Sequence, residues 1–326
     1  MTSQEAPPIE ERRGRLVGLG ILLIVTAIWG TTFPLVKNLT AQMTGVELLF
    51  LRFAVAGAVA LPVMLRRRPE AAWWRSAAEF GFLGWLGYAA QTAGLVWTSA
   101  GRSAFITSLS VLGVPLLATL AGRPAPRRVW PAVAIAVAGT ALLANDGSPP
   151  NRGDALTLIT ALSYSLYILR LEVWVRRLGS ARLMAAQTLG VLPFAAAALL
   201  LSGPVDAWPH PSAALPALLQ RWALLPPAAW RDLVYLGTVG LGLTAGLQAL
   251  GQARVSAAQA ALIFTTEPVW AAVFAGLWLD ERLGGLGLAG AGLILAGAWL
   301  GQGLRLRDLL PGGRSGGSRS DRTVIT

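Results

Sequence analysis

The chain has 326 residues, 54% of them hydrophobic and only 13% charged, with a net charge of +11 at pH 7, whereas a soluble domain is about one quarter charged. It has no cysteine, one histidine (His210) and one lysine (Lys37), which excludes disulfides and thiolate metal sites and argues against a histidine zinc site or a Ser–His triad. A basic balance would point a soluble protein towards nucleic acid, but hydropathy overrides that reading and points to a membrane.

A bilayer-crossing helix needs about 20 mostly apolar residues. Ten such runs are predicted: 16–36, 45–65, 77–98, 103–121, 129–145, 153–171, 183–202, 232–251, 257–279 and 284–303. The expected class is an all-α integral membrane protein. The first run follows Arg12, Arg13 and Arg15 as a signal peptide would. It is too long for one, lacks an A-x-A exit and leads straight into Trp29, Gly30 and Lys37, so it is expected to be a retained span. It carries Thr26, Trp29, Thr32 and Phe33 at helical spacing. The second run holds Arg52, the only basic residue well inside a span (Arg170 stands at the very end of the sixth), about 10 Å from its outer edge at the helical rise. Glu47 lies around the helix from it and is not an obvious partner. Tyr88 and Gln91 follow in the third run, Thr160, Tyr164 and Tyr167 in the sixth, and Thr244 and Gln248 in the eighth. Each set can share one face, and polar faces turn away from lipid. A cavity with polar anchors and aromatic walls suits an amphipathic small molecule; interhelical hydrogen bonds are the alternative.

The ninth run raises the sharpest question. It reads AALIFTTEPVWAAVFAGLWL, with Glu267 and Pro268 side by side near its centre and Phe264 and Trp270 one turn away on either side. A charge at that depth costs about 2.5–3.5 kcal/mol on insertion scales. Pro268 has no N–H, so the Phe264 carbonyl loses its helical donor and a kink is expected. An acid that is neutral when buried and charged when wetted can carry a proton. The alternative is a protonated acid that only ties helices together. The glycines of the tenth run (GLGLAGAGLILAG) suit close helix packing.

Charge distribution sets the orientation. With ten spans, twenty arginines fall on the side of the N-terminus and six Lys or Arg on the other, with Arg52 inside the membrane. Both termini are therefore expected in the cytoplasm, with the chain in the cytoplasmic (inner) membrane. The Pro-rich loop 203–231 is expected outside, as a partly ordered cap or a solvated linker. Residues 1–15 are expected to form a cytoplasmic segment, and 304–326 a disordered basic tail.

The chain also repeats. Gln91 superposes on Gln248, Ser99 on Ser256, Ala104 on Ala261, Ile106 on Ile263 and Gly139 on Gly297, while Trp29–Gly30 falls near Ser163–Tyr164 at a shorter offset. Five spans is an odd number, so the repeats, 16–145 and 146–303, would cross the membrane in opposite senses. Inverted repeats with a midplane site are an architecture of secondary transporters.

Here the sequence resembles a known family. WGTTFPLVK, LRF, TSAGRSAFITSLSVLGVPLL, EPVWAAVFAGLWLDERL and GLILAG are similar to segments of EamA-type permeases of the drug/metabolite transporter superfamily. The resemblance runs over about residues 16–303. It implies ten transmembrane helices in two inverted five-helix repeats and export of a small metabolite or amino acid, often linked to protons. Two positions depart from repeat symmetry. The basic connector GRPAPRR stands opposite the acidic LDERL, and the first-half counterpart of Glu267 is Ser110, so a coupling acid exists once.

The leading expectation is a non-enzymatic permease working by alternating access, with Glu267, Arg52 and the polar and aromatic residues above as substrate-binding or coupling groups. Its partners would be a small-molecule substrate, protons and membrane lipids, without cofactor, metal or nucleic acid. A phosphorylated-sugar or nucleotide-sugar exchanger would want several inward basic residues. A lipid-processing enzyme would want clustered polar groups, and Asp146, Asp154, Asp280, Glu281 and Arg282 are sparse. A non-transporting partner subunit would leave the acid of the ninth span unexplained.

Overall fold

The structure is a computed structural model that describes residues 9–66, 68–98, 100–143, 149–202, 211–279 and 284–302. His210, the connector acids Asp280 and Glu281, Asp146 and the tail 304–326 lie outside the described residues. Among the described residues every regular element is helical. In chain order these are α1 (Ile9–Thr40), α2 (Gly45–Leu65), α3 (Ala71–Gly94), α4 (Ala100–Ser108), α5 (Ser110–Leu120), α6 (Val129–Leu143) and α7 (Arg152–Leu178). Then follow α8 (Ser180–Leu201), α9 (Pro211–Ala223), α10 (Pro227–Tyr235), a π-helical segment (Leu236–Leu243), α11 (Thr244–Gln252), α12 (Ala257–Phe264), α13 (Glu267–Leu279) and α14 (Gly285–Gln302). Eight stretches among the described residues are long and apolar enough to cross a membrane. α3, with Arg75 and Glu79, and α6, with 15 residues, are not among them.

The side chains are arranged inside out for water. Leu277 is 71% exposed and Ile24 55%, whereas Gln252 and Thr160 are fully buried. Lipid explains both halves of that pattern, because acyl chains accept leucine and leave a lone amide unsatisfied. The inward polar groups bond between helices. Ser163 donates to the Leu83 carbonyl at 2.6 Å, Thr160 to Gly87 at 3.1 Å and Gln252 to Ile168 at 3.1 Å, and the Thr26 and Thr266 hydroxyls lie 3.0 Å apart. Thr26 and Thr160 therefore join helices.

Helix ends follow local chemistry. Capping boxes start α2 (Thr44 with Glu47), α7 (Asn151 with Asp154) and α12 (Ser256 with Gln259). Gly179, at φ +75°, ends α7 and opens α8 without a linker. α1 extends beyond the expected 16–36 at both ends.

Two of the expected spans are broken, one of them where a kink was expected. The fourth divides at Leu109 into α4 and α5; the ninth divides at Thr265–Thr266 into α12 and α13. In the ninth, the Thr265 and Thr266 hydroxyls bond back to the Leu262 and Ile263 carbonyls at 2.7 and 2.8 Å. The Thr266 N–H also reaches Ile263, and Pro268 offers no donor to Phe264. In the fourth, the Ser108 hydroxyl takes the Ala104 carbonyl at 2.8 Å and Leu112 turns back to Leu109 at 3.0 Å. The expected kink thus lies two residues before Pro268.

The two halves pack by the same rules. α3 lies on α7, and α1 on α11; α3 lies on α8, and α2 on the π segment; α4 and α5 lie on α7, and α12 and α13 on α1. Exchanging the halves turns each pairing into its mate, and the α6–α14 and α2–α8 pairs into themselves. Glycines show it atom by atom. A methyl on Gly18 would meet the Gly251 carbonyl at 3.0 Å, and one on Gly94 the Gly153 carbonyl at 2.9 Å. A methyl on Gly139 would meet the Gly290 carbonyl at 2.7 Å, and one on Gly297 the Ala132 carbonyl at 2.7 Å. Small residues let these helices touch backbone to backbone.

The same comparison explains the π segment. Trp74, Gly81 and Gly84 correspond to Trp230, Gly237 and Gly240 at one spacing; Gln91 and Gly94 correspond to Gln248 and Gly251 at a spacing one residue longer. The second half carries one extra residue between Gly240 and Gln248, and the helix absorbs it as a π turn.

Candidate functional site

Between the halves lies a cavity of about 180 Å³. α1, α2, α3, both parts of the fourth span, α7, α8, the π segment and α11 supply its walls, with the break in the ninth span between α12 and α13. Ser110 and Glu267, matched by the internal repeat, are each the first residue of the second helix of a broken pair, and both line the cavity.

One wall is aromatic. The Arg52 guanidinium carbon lies 4.2 Å from the centroid of Tyr88, whose ring meets Phe53 at 5.4 Å and Tyr164 at 5.7 Å. Trp29 packs against Phe264 at 5.4 Å while its indole N–H donates to the Thr244 hydroxyl at 3.2 Å. Gln91 donates to Thr107 at 3.1 Å, Gln248 to Gln252 at 3.2 Å, and the Tyr167 hydroxyl to Gln187. These bonds fix orientation and still leave donors over. The Arg52 Nε and the Gln187 side-chain nitrogen are buried without a hydrogen-bond partner among the described residues. A buried donor left unmade costs about 1–3 kcal/mol.

Of the residues singled out from the sequence, Trp29, Thr32, Arg52, Tyr88, Gln91, Tyr164, Tyr167, Thr244, Gln248, Phe264, Glu267 and Pro268 line this cavity. Trp270 does not. Gly30 lets α13 lie so close to α1 that a methyl there would meet Trp270 Cβ at 2.7 Å, and the Trp270 ring stacks on Phe274 instead. The Phe33 side chain lies outside the described residues. Arg52 and Glu267 share the cavity, yet no ion pair within 4 Å joins them among the described residues; Arg52 is held over Tyr88.

Sequence reasoning missed Thr107, Ser108, Gln187 and Thr188, which also line the cavity. Gln187 had a signal, as a lone amide in an otherwise apolar span. Glu47 is a buried structural acid. It closes the Thr44 capping box and accepts from Arg221 at 3.2 Å and Trp222 at 3.4 Å, which docks α9 onto α2. Within the 203–231 stretch, the described residues form α9 and the start of α10. No group of three or more His, Cys, Asp or Glu able to hold a metal occurs among the described residues.

Comparison with known proteins adds the following. The sequence matches the EamA-like transporter family over residues 16–145 and again over 151–301. It is 31% identical over 157 residues to an "Uncharacterized transporter" of Archaeoglobus fulgidus, a match covering 48% of this chain and 49% of that protein. The chain thus spans about half the length of that curated relative. A protein crystal structure superposes with a TM-score of 0.67 over 88% of this chain and 96% of that one; at 18% identity the likeness concerns the fold alone.

Proposed function

Since the chain belongs to the EamA-like transporter family, a membrane transporter family with two repeated units, we propose that it moves a small amphipathic metabolite through the cavity between the halves by alternating access. One observation carries this reading: two symmetry-related helices break at the cavity, and the residues opening their second parts, Ser110 and Glu267, both line it. Broken helices at mid-depth are how transporters expose backbone and side-chain groups to a substrate inside a bilayer. The tyrosines, Trp29 and Phe264 supply apolar contact area, while Gln91, Gln248 and Thr244 supply hydrogen bonds.

In this reading Glu267 couples transport to protons. Among the described residues it has no ion pair and no hydrogen-bonded side chain, and its first-half counterpart, Ser110, cannot ionise. Arg52, held over Tyr88 and with an Nε that has no hydrogen-bond partner among the described residues, recognises an anionic or zwitterionic substrate. Ten spans in two oppositely inserted five-helix repeats, within 16–145 and 146–303, account for the pairing symmetry, with α3 and α6 as the two spans beyond the eight apolar stretches. The arginine asymmetry supports a topology with both termini in the cytoplasm, which goes with residence in the cytoplasmic membrane. Export fits the resemblance to EamA permeases.

The test is flux of a metabolite panel into and out of proteoliposomes, with and without a pH gradient. Gradient-dependent flux of at least one metabolite is expected. Glu267→Gln should abolish the gradient dependence at unchanged thermal stability; flux that follows the gradient equally well in the variant removes Glu267 from coupling.

A further inference from the structure

The bundle face that carries the start of α1 holds a second, separate depression of about 520 Å³. Four arginines bound it (Arg15, Arg128, Arg176 and Arg254) against two carboxylates, Glu11 and Glu172. They come from the start of α1, the turn before α6, the end of α7 and the turn between α11 and α12. It shares no lining residue with the central cavity.

The Glu172 carboxylate is already engaged. It accepts the Ala257 N–H at 2.9 Å and lies 3.7 Å from Arg176. The first turn of α12 is likewise satisfied by Glu172 and by the Ser256–Gln259 box. Arg254 donates to the Leu250 carbonyl at 2.5 Å. Arg15 and Arg128 are different. The Arg15 Nε is buried with no hydrogen-bond partner, and Arg128 makes no ion pair among the described residues. A concave site with more guanidinium than carboxylate, and with an unmet buried guanidinium donor, is chemically incomplete.

We propose that this depression binds a phosphate-bearing anion, anchored by Arg15 and Arg128. Guanidinium matches phosphate oxygens in fork geometry, and basic pockets between membrane helices on the cytoplasmic side take up acidic lipid headgroups. The depression lies among helix ends, and in the topology proposed above that end of the bundle meets the headgroups of the inner leaflet. The phosphate has two sources: an acidic phospholipid of the inner leaflet or a free phosphate in solution.

The experiment uses the full chain in detergent and reads its thermal unfolding midpoint, together with bound mass in native mass spectrometry. The probes are phosphatidylglycerol, phosphatidylcholine and inorganic pyrophosphate. A saturable rise in midpoint with phosphatidylglycerol but not phosphatidylcholine is the lipid outcome; a saturable rise with pyrophosphate is the soluble-anion outcome; either supports the site. Arg128→Gln, at an exposed turn position that folding tolerates, should weaken the response about tenfold, the loss of one charge-assisted contact. Arg15→Gln should do the same, and Arg66→Gln, at the end of α2 outside the depression, should leave it unchanged. No saturable response to either anion, or a response equally strong in Arg128→Gln, overturns the assignment. Flux through the central cavity plays no part in this readout, so the two readings stand or fall separately.

Discussion

Two acids of the spans have opposite surroundings. Glu47 is 2% exposed and fully engaged by Thr44, Arg221 and Trp222; Glu267 faces a cavity. Glu47→Ala should therefore cost about 2–3 kcal/mol, the loss of several hydrogen bonds to a charge, read as a lowered midpoint in thermal unfolding. Arg221→Ala should cost less, because the Arg221 side chain is 57% exposed and solvent screens it. On the surface, Arg182 bonds to Glu70 and holds that carboxyl below the usual range. A depressed carboxylate stabilises above its unfolded pKa and loses that effect as pH falls through its folded pKa. The midpoint difference between wild type and Arg182→Gln should accordingly be present at neutral pH and vanish in acid; a difference that persists under acid conditions would show that the pair does not titrate. The sequence located Arg52 well inside a span, and helical rise placed it about 10 Å from the outer edge. Rise gives depth and not direction. Packing against Tyr88 set the direction, and nothing along one helix encodes a ring on another.

Among elements, helix existence was legible and helix continuity was not. Long apolar runs mark spans because lipid tolerates nothing else. A break depends on threonine and serine hydroxyls competing for particular carbonyls, and TT before EP was visible while its consequence was not. Trp270 was assigned to the cavity because three residues on from Glu267 means one shared face; close approach of α13 to α1 at Gly30 sends its ring elsewhere. The π segment follows from one extra residue, a signal present in the glycine spacing of the two halves. Deleting Leu243, inside the interval that holds the extra residue, should give Gly240 and Gln248 the seven-residue spacing of Gly84 and Gln91 and restore a regular helix. Seven residues are close to two full turns, so both would stay on the cavity face, as Gly84 and Gln91 do. A folded protein that keeps its flux is expected; loss of flux in a deletion that still elutes as a folded species would give the π turn itself a part in transport.

At the scale of the molecule, the repeat was readable because packing residues recur at fixed spacing, and the pairing of helices obeys that repeat. The inversion rests on an odd number of spans and on arginine counts, and a direct measurement settles it. Reporter fusions at both ends should give the same cytoplasmic signal; opposite signals would mean an odd total and end the inverted arrangement.

The glycine contacts carry a further consequence. Gly18 against Gly251 and Gly94 against Gly153 are one joint built twice, a joint between α1 and α11 and its mate between α3 and α7. A single methyl is a wedge in either. Gly18→Ala would drive into Arg254 Cβ at 2.8 Å, and Gly94→Ala into the Thr157 hydroxyl oxygen at 2.8 Å. If the two joints are opposing hinges of one rocking motion, the wedges tip the balance in contrary directions and the double wedge levels it again. A chain with no native thiol is ready-made for reading that balance, one introduced cysteine at a time.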